Sequence, residues 1–265
     1  MPHADSRGVL VDGIWVRGLL IDMDGTILDT VGPDSSASAW LAAASRLQDR
    51  WGPQMALTPE DLARHLGDTA REFWSDEERH RWGRLNPGPQ RARVVRDTLQ
   101  ALDIDDPELV DALSEAYAAE KYQRFQLFAG VEAALAQLAA WGLRMVLVTN
   151  GEGVSQREKV VRFHLGRWFE AVVIEGEEGV GKPHPEVYRR ALAAGGLEPE
   201  AALMIGDNFE WEVLVPTRLG IRCIWVNPVG LAPPVREERA PWRTVARFAE
   251  VPALIARHPA RAAAP

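Results

Sequence analysis

Five short stretches of this chain are apolar almost from end to end: Gly18–Ile21, Arg144–Val148, Ala171–Ile174, Ala202–Ile205 and Ile221–Val226. A strand with one wet face alternates apolar and polar residues, whereas a strand buried on both faces reads as a continuous apolar run. The pattern therefore predicts a parallel sheet covered on both sides. Segments of helical period lie between the later runs. Val131, Leu135 and Leu138 share one face of a segment that stops at Gly142, and Ser155 and Glu158 stand at capping-box spacing before another. A third segment starts at His184 and ends at the Gly195–Gly196 pair, and Asn208 is a good N-cap for a fourth that closes at Gly220.

This alternation of strand and helix predicts an α/β fold with a doubly wound, Rossmann-like parallel sheet. Residues 30–127 break the pattern. They hold no strand-like run, but helical stretches recur (residues 35–51, 58–74, 89–103 and 106–125), with turn signals such as Asn86-Pro87-Gly88-Pro89 between them. The reading is an all-helical cap domain, 30–127, inserted into a core made of 1–29 and 128–265. Asp12-Gly13 between apolar residues suggests a small hairpin, and the tail Arg257–Pro265 is expected to be loose.

Charge and cysteine narrow the function classes. Over 265 residues the net charge is −8, so a generic nucleic-acid surface is not expected, and an anionic substrate must be held by local cations or a metal. The single cysteine, Cys223, cannot form an intrachain disulfide and lies in an apolar run, as a buried small hydrophobe would. No apolar run approaches membrane-spanning length and no signal-peptide core is visible, which together give the expectation of a soluble cytoplasmic protein with no membrane partner. Monomer and homodimer are equally compatible. Of 30 basic residues only Lys121, Lys159 and Lys182 are lysine, so arginine does nearly all the cationic work.

The chemistry sits where apolar runs end. Asp22 and Asp24 follow the first run, Thr149, Asn150 and Gly151 the second, and Gly206, Asp207 and Asn208 the fourth; Lys182 lies in a loop before a helix. Open α/β sheets bind ligands beyond the carboxyl ends of their strands, so these groups should converge on one edge. Singly they are ordinary turn and cap residues; their joint order is not. Lysine rarity adds weight to Lys182, because a compact point charge beside phosphate and carboxylate is what lysine supplies. Gly176–Lys182 imitates a P-loop, but Pro183 stands where that loop needs a hydroxyl, and Glu177 and Glu178 would repel phosphate.

The ordered set DMDGT, LVTNG, GKPHP and MIGDNFEWE resembles the four motifs of the haloacid dehalogenase-like hydrolase superfamily, from about Leu19 to Asn227, and the insert sits where that family's first-type (C1) cap sits. The resemblance implies a phosphatase that hydrolyses a small phosphomonoester, a small phosphorylated metabolite, with Mg²⁺. Phosphate monoesters resist hydrolysis so strongly that enzymes can accelerate it by up to ~10²¹-fold. In that scheme Asp22 attacks phosphorus and forms an aspartyl-phosphate, while Asp24 protonates the leaving oxygen and then deprotonates water. Thr149, loop N–H groups near Asn150, and Lys182 would hold the phosphoryl group; Asp22, Asp207 and the backbone carbonyl of Asp24 would be the metal ligands. The cap would close over the site, exclude water and choose the leaving group.

The chain departs from the family at Glu212, often Asp, whose longer side chain can still reach a metal-bound water or bind the metal weakly. It departs again at Pro216, which should kink its helix. Trp141, Trp168 and Trp225 are read as packing residues; Trp74 and Trp82 could line a substrate pocket, with packing the better reading; most of the insert's arginines (Arg71, Arg91, Arg93) are read as solvated, and His184 as a cap or loop residue and not a base. Two alternatives remain: a phosphosugar mutase with the same motif set, and a catalytically inactive binding protein on this fold. Haloacid dehalogenases lack the second carboxylate, so Asp24 argues against that activity.

Overall fold

The computed structural model describes residues 8–30, 35–52, 57–233 and 241–256. The tail read as loose, 257–265, lies outside them. The chain divides into two compact units, Met1–Asp29 with Leu127–Pro265, and Thr30–Gln126.

The first unit is built on a six-stranded, wholly parallel sheet. Across the sheet the strands run Arg243–Val245, Arg222–Val226, Ala202–Gly206, Gly18–Ile21, Arg144–Thr149 and Ala171–Ile174. Successive side chains point to opposite faces, and both faces are buried. Leu19, Ile21, Met145, Leu147, Leu203 and Ile205 join one apolar cluster with helix Val131–Ala140 and helix Val251–Ala256. Leu20, Val146, Val148 and Met204 join the other with helix Pro185–Gly195. That two-sided burial is why the strands read as unbroken apolar runs. Arg243–Val245 escaped the sequence reading because it is a three-residue edge strand with only Val245 buried. The hairpin is present: Val9–Val11 pairs antiparallel with Ile14–Val16 across Asp12-Gly13.

From the first strand of the sheet, Gly18–Ile21, the chain builds outward on one side (Arg144–Thr149, then Ala171–Ile174). It then crosses to the other (Ala202–Gly206, Arg222–Val226, Arg243–Val245). The order therefore reverses beside Gly18–Ile21, and the crevice at the carboxyl ends of such a switch point is where this architecture binds ligands.

The second unit is helical: Ser35–Arg46, Gln48–Trp51, Pro59–Trp74, Glu77–Leu85, Pro87–Ala101 and Pro107–Arg124, around an apolar cluster that includes Trp40, Trp51, Leu62, Leu66, Val94 and Leu113. Thr58 and Asp61 form a reciprocal capping box on the third of these helices. Glu77–Leu85 was not anticipated; only Gly83 of it is buried, so it carries no apolar stripe. Pro87 is the first residue of the next helix, and the Asn-Pro-Gly-Pro string thus starts a helix as well as ending one.

Three expectations need amendment. Ser155 is not a cap: the helix runs Gly153–Arg162 and is capped by Glu152, which accepts from Val154 N–H at 3.0 Å, Ser155 N–H at 2.7 Å and Ser155 Oγ at 2.7 Å. Trp74 and Trp82 are 37% and 41% exposed, with Trp74 edge-on to Phe73 and His80. Arg71 and Arg93 are exposed and paired with Asp68 and Asp97, but Arg91 is half-buried and its Nε has no partner.

Candidate active site

Asp22 extends the Gly18–Ile21 strand by one residue, its N–H donating to Ile205 C=O at 2.9 Å. The chain then turns sharply: Thr26, Ile27 and Leu28 N–H groups all donate to Met23 C=O (3.3, 3.0 and 2.9 Å). Asp-Met-Asp-Gly is thus a turn, and it leaves both carboxylates at the strand end. Gly25 is required there, with φ +86°, and a Cβ would stand 2.4 Å from Asp207 Oδ2. That closeness brings the turn against the end of the Ala202–Gly206 strand. Thr26 Oγ1 bridges the two, donating to Asp22 Oδ2 at 2.9 Å with Asp207 Oδ1 at 3.4 Å.

Lys182 is buried with its ammonium between two carboxylates: Asp22 Oδ1 in close contact, and Glu212 Oε1 at 2.8 Å. Burial alone would drive the ammonium's pKa down; Asp22 and Glu212 outweigh it and hold it above the ordinary lysine value. Burial pushes the Asp22 carboxyl up despite the opposing pull of Lys182. Asp207 is raised to about 7, first by burial and then by the charge of Asp22, and Glu212 to about 8 by burial, with Asp22 and Asp207 adding repulsion. Glu212 is fully committed, since its Oε2 accepts from Asn208 N–H at 2.7 Å. Its side chain is aimed by a π-helical turn, Glu210–Leu214, that runs into Val215–Arg218, and Pro216 lies just past the turn. The kink expected at Pro216 takes this form, a turn widened to i→i+5 bonding.

Thr149 is buried at the end of its strand. The Asn150 side chain clamps the Lys182 backbone, donating from Nδ2 to Lys182 C=O at 2.6 Å and accepting from Lys182 N–H at 2.8 Å. Its amide is therefore spent on positioning lysine. The next N–H of the loop, Gly151, donates to Glu175 Oε2 at 3.1 Å. His184 caps its helix, as read, with Nδ1 3.2 Å from Glu186 N–H. The P-loop decoy is occupied otherwise: Glu175–Glu178 is a helical turn and Lys182 points into the carboxylate cluster.

Two residues that the sequence reading did not assign to the site lie against Asp24. Gln156 Nε2 donates to Asp24 Oδ2 (2.9 Å), Thr149 Oγ1 (2.6 Å) and Asn150 C=O (2.8 Å). Lys159 Nζ reaches Asp24 Oδ2 at 2.8 Å and Oδ1 at 3.0 Å. A signal for Lys159 existed: the lysine rarity that singles out Lys182 singles it out equally. Gln156 carried none.

Among the described residues no three His, Cys, Asp or Glu side chains stand as a ready metal cage. The residues present nevertheless fit a hard divalent cation. Two buried carboxylates, Asp22 and Glu212, hold one ammonium, the exposed Asp207 lies beside Asp22 across Thr26, and with all three ionised the cluster is two negative charges in excess. Mg²⁺ takes oxygen donors and is commonly held by one or two carboxylates, with water and substrate phosphate supplying the rest.

A family model described as haloacid dehalogenase-like hydrolase matches residues 16–215. A phosphoserine phosphatase of Thermus thermophilus is 42% identical over 146 residues, 55% of this chain and 57% of its own length, so the chain spans little more than half of that relative. A glyceraldehyde 3-phosphate phosphatase of Methanopyrus kandleri is 30% identical over 207 residues, 78% of this chain and 82% of its own. Among solved structures, a putative hydrolase of Bacillus subtilis bound to magnesium superposes with a TM-score of 0.66 at 20% identity, over 91% of this chain and 98% of its own, a likeness of fold.

Proposed function

Because the chain belongs to the haloacid dehalogenase-like hydrolases, we propose that it is a Mg²⁺-dependent phosphatase of a small phosphomonoester, working through a phosphorylated Asp22. The observation that carries this reading is the setting of Asp22. It lies at the switch point of the sheet, buried, with one oxygen on Lys182 and the other on Thr26, opposite Asp207.

In the first half-reaction an Asp22 oxygen attacks phosphorus, the bond from phosphorus to the ester oxygen breaks, and Asp24 gives its proton to that oxygen so that a neutral alcohol leaves. In the second, water attacks phosphorus while Asp24 takes one of its protons. The Asp22–phosphorus link breaks and orthophosphate departs, which restores both side chains. Lys182 holds Asp22 in place and offsets its charge, and Thr149 offers a hydroxyl at the strand end. The Asp22 and Asp207 carboxylates with the Asp24 backbone carbonyl would hold Mg²⁺, which supplies neutralisation of the phosphoryl charge. Glu212 does not favour an inactive protein, because its carboxylate stays on Lys182 despite the longer side chain. The names of the relatives, a phosphoserine phosphatase and a glyceraldehyde 3-phosphate phosphatase, support an alkyl phosphate as substrate.

The test is phosphate release from a panel: O-phosphoserine, glyceraldehyde 3-phosphate, sugar phosphates, nucleoside monophosphates, phosphoglycolate and 4-nitrophenyl phosphate, with Mg²⁺ and with EDTA. Release that needs Mg²⁺ and falls at least ~10³-fold in Asp22→Asn is expected. A folded protein that releases nothing with Mg²⁺ present, or an unimpaired Asp22→Asn, sinks the reading.

A further inference from the structure

The four motifs leave Asp24 without a partner of its own, yet the structure surrounds it. Lys159 and Gln156 lie three residues apart on Gly153–Arg162, a spacing that puts both on one helix face. Lys159 spans both carboxylate oxygens, and Gln156 reaches Oδ2. The Lys159 side chain is only 12% exposed and that of Asp24 29%, so this is not a loose surface pair of the kind that contributes little. Holding a lysine this far buried costs its rotamer freedom, and the contact must offset that. The clamp is itself anchored. Gln156 is buried and shares its two amide hydrogens among Asp24, Thr149 Oγ1 and Asn150 C=O, and Glu152 fixes the start of the helix. One helix face thus ties the carboxylate of Asp24 to the loop that follows the Arg144–Thr149 strand.

We propose that Lys159 and Gln156 are positioning residues for Asp24. They set the plane of its carboxylate, so that one oxygen meets the departing ester oxygen in the first half-reaction and the incoming water in the second. The proposal rests on the phosphatase reading above and adds to it two residues outside the four motifs. General acid catalysis depends on geometry before acidity: the donor must lie within hydrogen-bond reach of its target. Without the clamp the Asp24 side chain rotates freely, and proton delivery becomes rare while attack by Asp22 is untouched.

That separation supplies the test. A 4-nitrophenolate leaves without a proton, whereas an alkoxide does not. In Lys159→Met, kcat for an alkyl ester of the panel (O-phosphoserine or glyceraldehyde 3-phosphate) should fall roughly 10–100-fold, within the range general acids contribute. The first-turnover burst of 4-nitrophenolate, which precedes hydrolysis of the aspartyl-phosphate common to both esters, should slow by under about 3-fold, with KM for both esters nearly unchanged. Lys159→Arg should recover part of the alkyl rate, since it keeps a donor fork on the carboxylate. On the alkyl ester the pair Lys159→Met with Asp24→Asn should be no slower than Asp24→Asn alone. A 4-nitrophenolate burst slowed as much as the alkyl ester, no loss on either ester, or additive losses in the pair would overturn the proposal and leave Lys159 a structural ion pair. If Lys159→Met is poorly folded by circular dichroism, Lys159→Gln carries the same comparison. Failure of the underlying reading looks different: the unmodified protein would then hydrolyse neither ester with Mg²⁺, and the proposal would fall with it.

Discussion

At the scale of single residues the site is set by which polar atoms are already spoken for. Asn150 follows the Arg144–Thr149 strand, and its side chain holds the backbone of Lys182, while Glu212 holds the other end of that lysine. Lys182 is thus positioned from both ends before any substrate arrives, which is how a rigid site avoids reorganising during the reaction. Gly206 exists for the same cluster. A Cβ there would lie 2.0 Å from Glu212 Cγ, so Gly206→Ala must push Glu212 off Lys182 or move the strand end. A loss of about 1–3 kcal/mol by urea denaturation is expected, together with a fall in phosphate release of ~10-fold or more. A variant with unchanged stability and rate would show that Glu212 does not need its present seat.

At the scale of elements the informative feature is the π-helical turn Glu210–Leu214. Val215 N–H donates to Glu210 C=O, five residues back, and Pro216 next to it has no N–H to give. A proline ring also clashes with the carbonyl four residues before it, here that of Glu212, and the widened turn relieves the clash. In Pro216→Ala an ordinary helical bond to Glu212 becomes available, and the turn can tighten and swing Glu212 around the helix axis. The expected outcome is a melting temperature that holds or rises, with kcat/KM reduced by about 10-fold or more. A variant that keeps full activity would remove the link between this turn and the site. Element boundaries failed in the sequence reading where no burial accompanies them: the cap moved from Ser155 to Glu152, and Glu77–Leu85 carried almost nothing apolar.

At the scale of the whole chain, each unit has its own apolar interior: two clusters on the faces of the sheet in the first, one among the helices of the second. Among the described residues no helix is long and apolar enough to cross a membrane. Cys223 lies in the second sheet-face cluster, and burial pushes its thiol up to about 12. At pH 8 it should be protonated and shielded. A thiol-disulfide reagent should label the native protein at least ~100-fold more slowly than the urea-unfolded chain, which should give one thiol. Rapid labelling of native protein would mean that this face of the sheet opens readily.

The sequence by itself determined the parallel sheet, because burial on both faces writes unbroken apolar runs. It also pointed to helices in the insert read as 30–127, where strand runs are missing, and the described residues there are mainly helical. It also located Asp22, Asp24, Thr149, Lys182 and Asp207 at strand ends or in a pre-helix loop, because strand ends are marked by the change from apolar to polar. Only the tertiary structure decided who holds whom. The contacts of Lys159 with Asp24, of Gln156 with Thr149 and Asp24, and of Glu212 and Asn150 with Lys182 are set by the strand order and by the angle at which each helix leaves the sheet. A side-chain hydrogen bond between residues 135 apart, as between Asp24 and Lys159, leaves no periodic trace in the chain. It depends on distances of a few tenths of an ångström that folding alone supplies.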